Sequence, residues 1–193
     1  MKKEFNPEQF SNLFPAPVVL VTCSDGEKDN IITIAWCGIV SSHPPTLSIS
    51  IRSSRLSHSM IKESREFVVN VPSEDLFEET DARGIISGRD KDKFEFLNLK
   101  KEKSLKVKAP TLADCLISLE CKVKQILPFD SHDCFIAEVV AVRIDDKLLV
   151  GNEIDFDKLK PFVLLSKKYF GTGKHLGDYG FSAKKLNEKE IKK

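Results

Sequence analysis

The amino-acid sequence predicts a mainly β protein, folded as a small closed antiparallel barrel with short peripheral helices. Six segments have the residue patterns of β-strands, at residues 17–23, 30–40, 46–52, 66–71, 116–124 and 134–144, and a further strand is predicted near 161–165. Several of these segments are joined by short turns, which is typical of hairpins. The segments with helical patterns are all short, so the strands must form the core.

The first strands are predicted from runs of Val and Ile. Residues 17–23 and 30–40 are joined through Asp25-Gly26, a favourable turn sequence, and they therefore predict a hairpin of buried strands. Proline has no N–H donor, so His43-Pro44-Pro45 interrupts the ladder. Residues 46–52 then alternate apolar and polar side chains, which predicts a strand with one buried face.

Helix start signals occur at three places. Asn6 and Pro7 predict a short helix over residues 5–14, because asparagine is a good cap and proline suits the first helical position. Ser53 or Ser54 is expected to cap a helix that runs to about Arg65. After the strand at 66–71 ends at Pro72, Ser73 is expected to cap another helix through Leu76 and Phe77.

The C-terminal half contains a charged segment and the clearest strand pattern. Residues 87–109 are rich in charge, and we interpret them as a surface insertion with a short helix around Phe94 and Leu97. Residues 116–124 alternate strictly, and residues 134–144 are their expected partner. The charged tail at 183–193 is expected to fray.

Composition narrows the class of protein. A chain of 193 residues predicts a single domain over residues 1–193, with its core at about 15–182. Thirty basic and 29 acidic residues give a net charge of +1, which argues against a nucleic-acid-binding protein. The apolar runs are too short to cross a membrane and no leader pattern is visible, so we expect a cytoplasmic location. The five cysteines include no Cys-x-x-Cys pair, and no metal site is predicted.

Three polar segments are candidates for chemistry. Residues 52–59 (RSSRLSHS) join a strand to a helix start, where unpaired backbone N–H groups, serine hydroxyls and the cations Arg52 and Arg55 suit a phosphate; helix capping is the alternative. Trp36 lies in an apolar strand, and a core tryptophan is the alternative to a ligand contact. His132 lies between acids at a strand start, and it could equally be a surface-loop residue. The glycines at 171, 173 and 177 fit neither a Rossmann nor a P-loop spacing.

Four motifs in order resemble the flavin-reductase-like family of FMN-binding split β-barrels. They are N-x-x-T-x-x-W followed by V-S-x-x-P-P (residues 30–45), R-x-S/T-x-x-x-I followed by F-V-V-N (55–70), S-G-x-x-x-D-K-F (87–94) and a D-S-H-D-C-F stretch (130–135). A late LGDYGFS is similar to the end of flavoredoxin-like members. The sequence departs from the family's motifs at two positions. Ser131 stands where the family has Asp before the histidine, and Ala137 stands where it has Gly before Glu138.

The resemblance implies a split β-barrel with antiparallel, Greek-key-like strands, and a homodimer that holds FMN between the subunits. It implies FMN reduction by NADH or NADPH, with hydride transfer to flavin N5 and on to flavin or another small acceptor. The alternative is a flavoredoxin-type carrier that passes electrons to a redox protein partner. No catalytic residue is identified, and Lys93 or His132 is expected to place a cation near N1 and O2 of the ring. The residues expected around FMN are Asn30, Thr33, Trp36, Ser41, Ser42, Arg52, Ser54, Arg55, Ser57, Lys93 and His132.

Overall fold

The structure is a computed structural model that describes residues 2–7, 13–151 and 153–182. The strands are β1 (Ala16–Pro17), β2 (Val19–Ser24), β3 (Asp29–Ile34), β4 (Cys37–Ser42), β5 (Pro45–Ile51), β6 (Glu66–Val71), β7 (Lys101–Glu102), β8 (Thr111–Leu112), β9 (Ile117–Pro128), β10 (Asp133–Ile144), β11 (Leu149–Val150), β12 (Glu153–Ile154), β13 (Phe162–Leu165) and β14 (Lys168–Gly171). The helices are α1 (Leu56–Ser64), α2 (Phe77–Ile85), α3 (Lys93–Phe96) and α4 (Phe156–Leu159), with 3-10 turns at Glu74–Leu76 and Asp146–Leu148.

A seven-stranded antiparallel sheet with the order β3-β2-β6-β9-β10-β5-β4 forms the body of the protein. Its two edge strands, β3 and β4, are consecutive in the chain and are joined by only Ala35 and Trp36. Two residues span only about 7 Å when extended. The sheet must therefore curl until its edges meet, which makes a barrel whose last seam is not closed by strand pairing. The ladder between β4 and β5 continues one step to the edge of this seam, where Ser50 N donates to Trp36 O at 3.0 Å.

The barrel interior holds the main hydrophobic core. The alternation predicted for β5 is confirmed, because Leu47, Ile49 and Ile51 are all buried. Phe67 from β6 and Phe135 from β10 are completely buried in the same cluster. Burying a side chain of this size stabilises the fold by roughly 1.5–3 kcal/mol. A second cluster packs outside the barrel, formed by Leu20, Ile31, Phe94, Leu112 and Cys115.

The structure corrects one predicted strand and adds a strand that was not predicted. The strand predicted over residues 30–40 is two strands, because the chain crosses the seam at Ala35-Trp36. β14 was not predicted; it pairs with β13, which itself pairs with β1 in a separate three-stranded sheet. Residues 8–12 of the helix predicted over residues 5–14 lie outside the described residues, and so does the whole tail at 183–193. Within the described residues, no helix is long and apolar enough to cross a membrane.

The charged segment 87–109 is more than a surface insertion. Lys93 and Phe94 of α3 are buried, and the later part of the segment is fixed by a buried carboxylate. Glu120 is 0% exposed and accepts hydrogen bonds from the backbone N–H groups of Leu105 (2.8 Å) and Lys106 (2.6 Å). The segment is thereby held against β9.

Replacing Glu120 with glutamine is expected to lower the free energy of unfolding by about 1–3 kcal/mol, because an amide NH2 would face a backbone N–H donor and leave it unpaired. Urea denaturation measures this as a lower midpoint with an unchanged slope. Glu63→Gln, at an exposed position of α1, is the control. Equal midpoints for Glu120→Gln and the wild type would contradict this account.

Candidate functional site

Two adjoining pockets that share Ile32 and Arg55 form one groove along β3. We call one half the serine end; its polar lining includes Asn30, Ser54, Arg55, Ser57, Ser87, Gly88, Arg89 and Lys93. We call the other half the tryptophan end; its lining includes Thr33, Ala35, Trp36, Ser50, Arg52 and His132. The groove therefore joins a hydroxyl-rich, cationic half to a half with aromatic rings.

Strand register builds the tryptophan end. β5 and β10 are paired so that Ile51 lies opposite Asp133, which places the next residues outward, Arg52 and His132, at the same sheet end. The bond from Ser50 N to Trp36 O brings Trp36 to this end too. The rings of Trp36 and His132 are in contact, with centroids 4.5 Å apart and a 38° tilt.

The charge at the tryptophan end comes from arginine rather than histidine. Partial burial and the positive charge of Arg52 lower the pKa of His132 below its ordinary value. His132 is therefore neutral at neutral pH, with Nδ1 2.9 Å from Ser131 Oγ. Arg52 and Arg55 are the cations that line this half of the groove.

A buried hydrogen bond shapes the serine end. Asn30 Nδ2 donates to Ser57 Oγ at 2.9 Å, and both residues are buried. Gly88 approaches so closely that a Cβ at this position would lie 2.3 Å from Asn30 Oδ1. Only glycine fits there without displacing Asn30, so the turn that carries Ser87 and Arg89 can lie directly against β3.

The helix start at the serine end differs from the prediction. The N-cap residue of α1 is Arg55, which makes no side-chain cap bond, and the expected cap by Ser53 or Ser54 does not form. Ser54 and Arg55 are instead exposed and line the groove. Leu56 and Ser57, the first residues of α1, line this end, and a helix start leaves its first backbone N–H groups without partners inside the helix.

Lys93 is a buried residue of the serine end. It is 4% exposed, and its Nζ donates to the carbonyl oxygens of Ile31 and Arg83, both at 2.7 Å. Burial and the positive charge of Arg55 lower the pKa of Lys93 to about 8. Lys93 lines the serine end of the groove, whereas Trp36 and His132 line the tryptophan end.

Two thiols next to groove residues are not activated. Burial raises the pKa of Cys37, which follows Trp36, to about 11. Burial also raises the pKa of Cys23, which lies opposite Asn30 in the β2–β3 ladder, to about 12. Both thiols therefore stay protonated at neutral pH, and neither is suited to act as a nucleophile.

Nine of the eleven residues expected around a cofactor line this groove. Ser41 and Ser42 do not: they lie at the far end of β4, next to the turn into β5, while Trp36 lies at its near end. Ser87, Gly88 and Arg89 also line the groove and were not predicted as site residues. The signal was available, since they belong to the S-G-x-x-x-D-K-F motif, from which only Lys93 was taken.

The donor set suits a ligand with an anionic group at one end and a planar ring at the other. Serine hydroxyls, arginine side chains and a helix start are the usual partners of a phosphate. At the opposite end, Trp36 and His132 offer ring faces and edges for aromatic contact.

Comparisons with known proteins agree with this arrangement. The family model described as the flavin reductase like domain matches residues 10–170. A flavoredoxin from Methanosarcina acetivorans is 26% identical, with a TM-score of 0.88 over 96% of this chain and 99% of that one. The flavoredoxin of Desulfovibrio vulgaris is 28% identical, with a TM-score of 0.86 over 95% and 100% of the two chains. A Rhizobium rhizogenes protein named FMN reductase (NADH) is 29% identical over 75% of this chain and 80% of its own length.

Proposed function

Because the chain belongs to the flavin reductase like family, we propose that it is an FMN-dependent oxidoreductase that uses NADH or NADPH to reduce flavin or another small acceptor. One observation carries the proposal: a single groove has phosphate-type donors at one end and aromatic rings at the other. FMN has the same two-ended chemistry. The predicted split β-barrel, which the fold and its relatives bear out, provides the frame.

The residues at the serine end fit the phosphate. Arg55 and Arg89 supply fixed positive charge, Ser54 and Ser57 supply hydroxyls, and the turn at Gly88 leaves room that a Cβ would fill. The buried bond between Asn30 and Ser57 fixes the position of the Ser57 hydroxyl before any ligand arrives. Preorganised donors lower the entropic cost of binding.

The residues at the tryptophan end would orient the ring and set its electrostatics. When bound, FMN supplies the redox chemistry, by accepting a hydride at N5 and passing electrons on. Trp36 and neutral His132 would contact the ring system and exclude water from one side. Arg52 takes the place of Lys93 as the proposed cation near N1 and O2, since it lines this half of the groove and its guanidinium stays charged.

A pure electron carrier is the second candidate, favoured by the two flavoredoxin relatives. The two functions differ in what reduces the bound flavin. We expect the purified protein to be yellow, and NADH or NADPH alone to bleach it. Bleaching only after a reduced protein partner is added would support the carrier, and a colourless protein that binds no added FMN would contradict both.

We also propose that the protein is a homodimer of one domain per chain, and that it is cytoplasmic. The edge strand β4 exposes Ile39 (79%) and Val40 (53%), an apolar surface that a second subunit would cover. Light scattering is expected to give twice the chain mass of 21.8 kDa. A stable species of that single-chain mass, with full FMN content, would rule out the dimer.

FMN binding is expected to weaken as the pH rises above about 8, because of Lys93. A phosphate nearby favours the charged lysine, so binding raises its pKa. Below about pH 8 the free protein already has this proton, and affinity is constant; above it, binding must take up a proton and affinity falls by at most about tenfold per pH unit. The phosphate itself, with a second pKa near about 6, does not titrate in this range.

Fluorescence titrations with FMN at about pH 7 and about pH 9 measure this effect. Riboflavin, which has the same ring without the phosphate, is the ligand control and should show no such loss. Lys93→Met should remove the pH dependence, while Lys103→Met, at an exposed position, should retain it. A constant FMN dissociation constant over the range would refute this role of Lys93.

A further inference from the structure

A buried hydrogen bond between two side chains connects the backbone next to both ends of the groove. His58 Nε2 lies 2.8 Å from Asp133 Oδ2, with side-chain exposures of 7% and 13%. His58 follows Ser57 of the serine end, and Asp133 follows His132 of the tryptophan end. Neither His58 nor Asp133 lines the groove itself.

The pair joins α1 directly to the start of β10. α1 begins after β5, and β10 begins opposite the end of β5. The bond between His58 and Asp133 therefore links α1 to β10 across the segment that contains Arg52 and Arg55. The rings of His58 and Phe135 also make a T-shaped contact, with centroids 5.4 Å apart. A carboxylate in such a place is tolerated because the imidazole N–H donates to it, and removing one partner leaves an unpaired buried group.

The position of His132 depends on this anchor. His132 belongs to the turn between β9 and β10, where Phe129 N donates to His132 O at 3.1 Å. Its side chain contacts Trp36, which lines the groove, and the neighbouring Ser131. The residue that follows His132 is Asp133, the first residue of β10. Because Asp133 is bonded to His58, the start of β10 is fixed, and with it the direction in which His132 projects.

We propose that His58 and Asp133 are positioning residues that hold His132 against Trp36 and couple the serine end of the groove to the tryptophan end. The part that concerns ligand coupling rests on the proposed function. Through this pair, a displacement of α1 moves the start of β10, so the two halves of the groove keep the spacing that one ligand spanning them requires. Loss of the pair should therefore separate His132 from Trp36 and weaken FMN binding.

The protein without FMN provides the first test, because Trp36 is its sole tryptophan and its emission reports on the contact with His132. His132→Ala defines the emission of Trp36 without that contact. His58→Leu and Asp133→Ala are expected to shift the emission toward that reference, and His58→Gln, which keeps an N–H donor, is expected to restore it. Met60→Leu, a buried change on the same helix, is the control.

A double variant keeps the test decisive if either single variant fails to fold. His58→Leu with Asp133→Leu removes both polar groups, and replacing a buried pair by apolar residues commonly preserves folding. Its emission should match that of His132→Ala. Emission like that of the wild type, from a folded double variant, would overturn the proposal.

FMN titration tests the coupling separately. The dissociation constant of the double variant for FMN, which spans both ends, is expected to rise roughly tenfold, and that for riboflavin, which lacks the phosphate, is expected to rise less. Wild-type FMN affinity together with shifted emission would refute the coupling. A wild-type protein that binds no FMN would instead contradict the proposed function and leave the emission test of the positioning pair intact.

Discussion

FMN is expected to bind this protein about a hundredfold more tightly than riboflavin, and replacing Arg55 with methionine is expected to remove most of that difference. The two ligands differ only in the phosphate, so their affinity ratio isolates the serine end. Arg55 lies at the start of α1 and lines both halves of the groove. Each hydrogen bond between a guanidinium and a phosphate contributes roughly 1.5–3 kcal/mol, and a hundredfold ratio corresponds to about 2.7 kcal/mol.

The matched control is Arg65→Met at the other end of the same helix. Arg65 is exposed, has the same charge and does not line the groove. It should leave both affinities unchanged, and isothermal titration of the two ligands against three proteins gives all the values. Equal affinities of the wild type for FMN and riboflavin would show that the phosphate is not bound at this helix start.

Replacing Gly88 with alanine is expected to raise the dissociation constant of FMN by about tenfold or more. The added Cβ would lie 2.3 Å from Asn30 Oδ1, well inside contact distance. Asn30 is buried and bonded to Ser57, so it cannot move away without breaking that bond. The turn of Ser87 and Arg89 must then retreat from β3, and the serine end opens.

Gly173→Ala is the control, since a Cβ there meets nothing within 4 Å. Riboflavin affinity should change less than FMN affinity in Gly88→Ala, because the ring lies at the other end. Unchanged FMN binding by a folded Gly88→Ala protein would mean that the phosphate lies elsewhere.

The sequence predicted the barrel strands well where burial imposes alternation. β5, β9 and β10 were found because each has one face in the core and their patterns are local. β6 was found as a short apolar run, and its residues 67–70 are all buried. The division at Trp36 was not predicted, because β3 and β4 together have the composition of one continuous strand. β3 and β4 are separated by the closure of the sheet into a barrel, which depends on long-range contacts and produces no pattern in the local sequence. β14 was missed because a short strand on a peripheral sheet buries little apolar surface.

The site was predicted by residue type but not by arrangement. Lys93 lies in a run of charged residues, and nothing in its neighbours indicates that it donates to two carbonyls from β3 and α2. Ser41 and Ser42 belong to a motif adjacent to Trp36 in sequence, yet a strand of six residues carries them away from the groove. The pair of His58 and Asp133 is invisible in the sequence, since 75 residues separate its members.

The strand order has a consequence for biosynthesis. In the strand order of the sheet, the hairpin of β4 and β5 pairs with the other strands through β10. The ribosome synthesises β10 long after this hairpin. Until β10 leaves the ribosome, one edge of this nascent hairpin has no strand to pair with, and its apolar faces have no barrel to fill. Unpaired edges of this kind recruit other chains. We expect a nascent chain arrested before β10 to be held by chaperones, and one arrested well after it to be released.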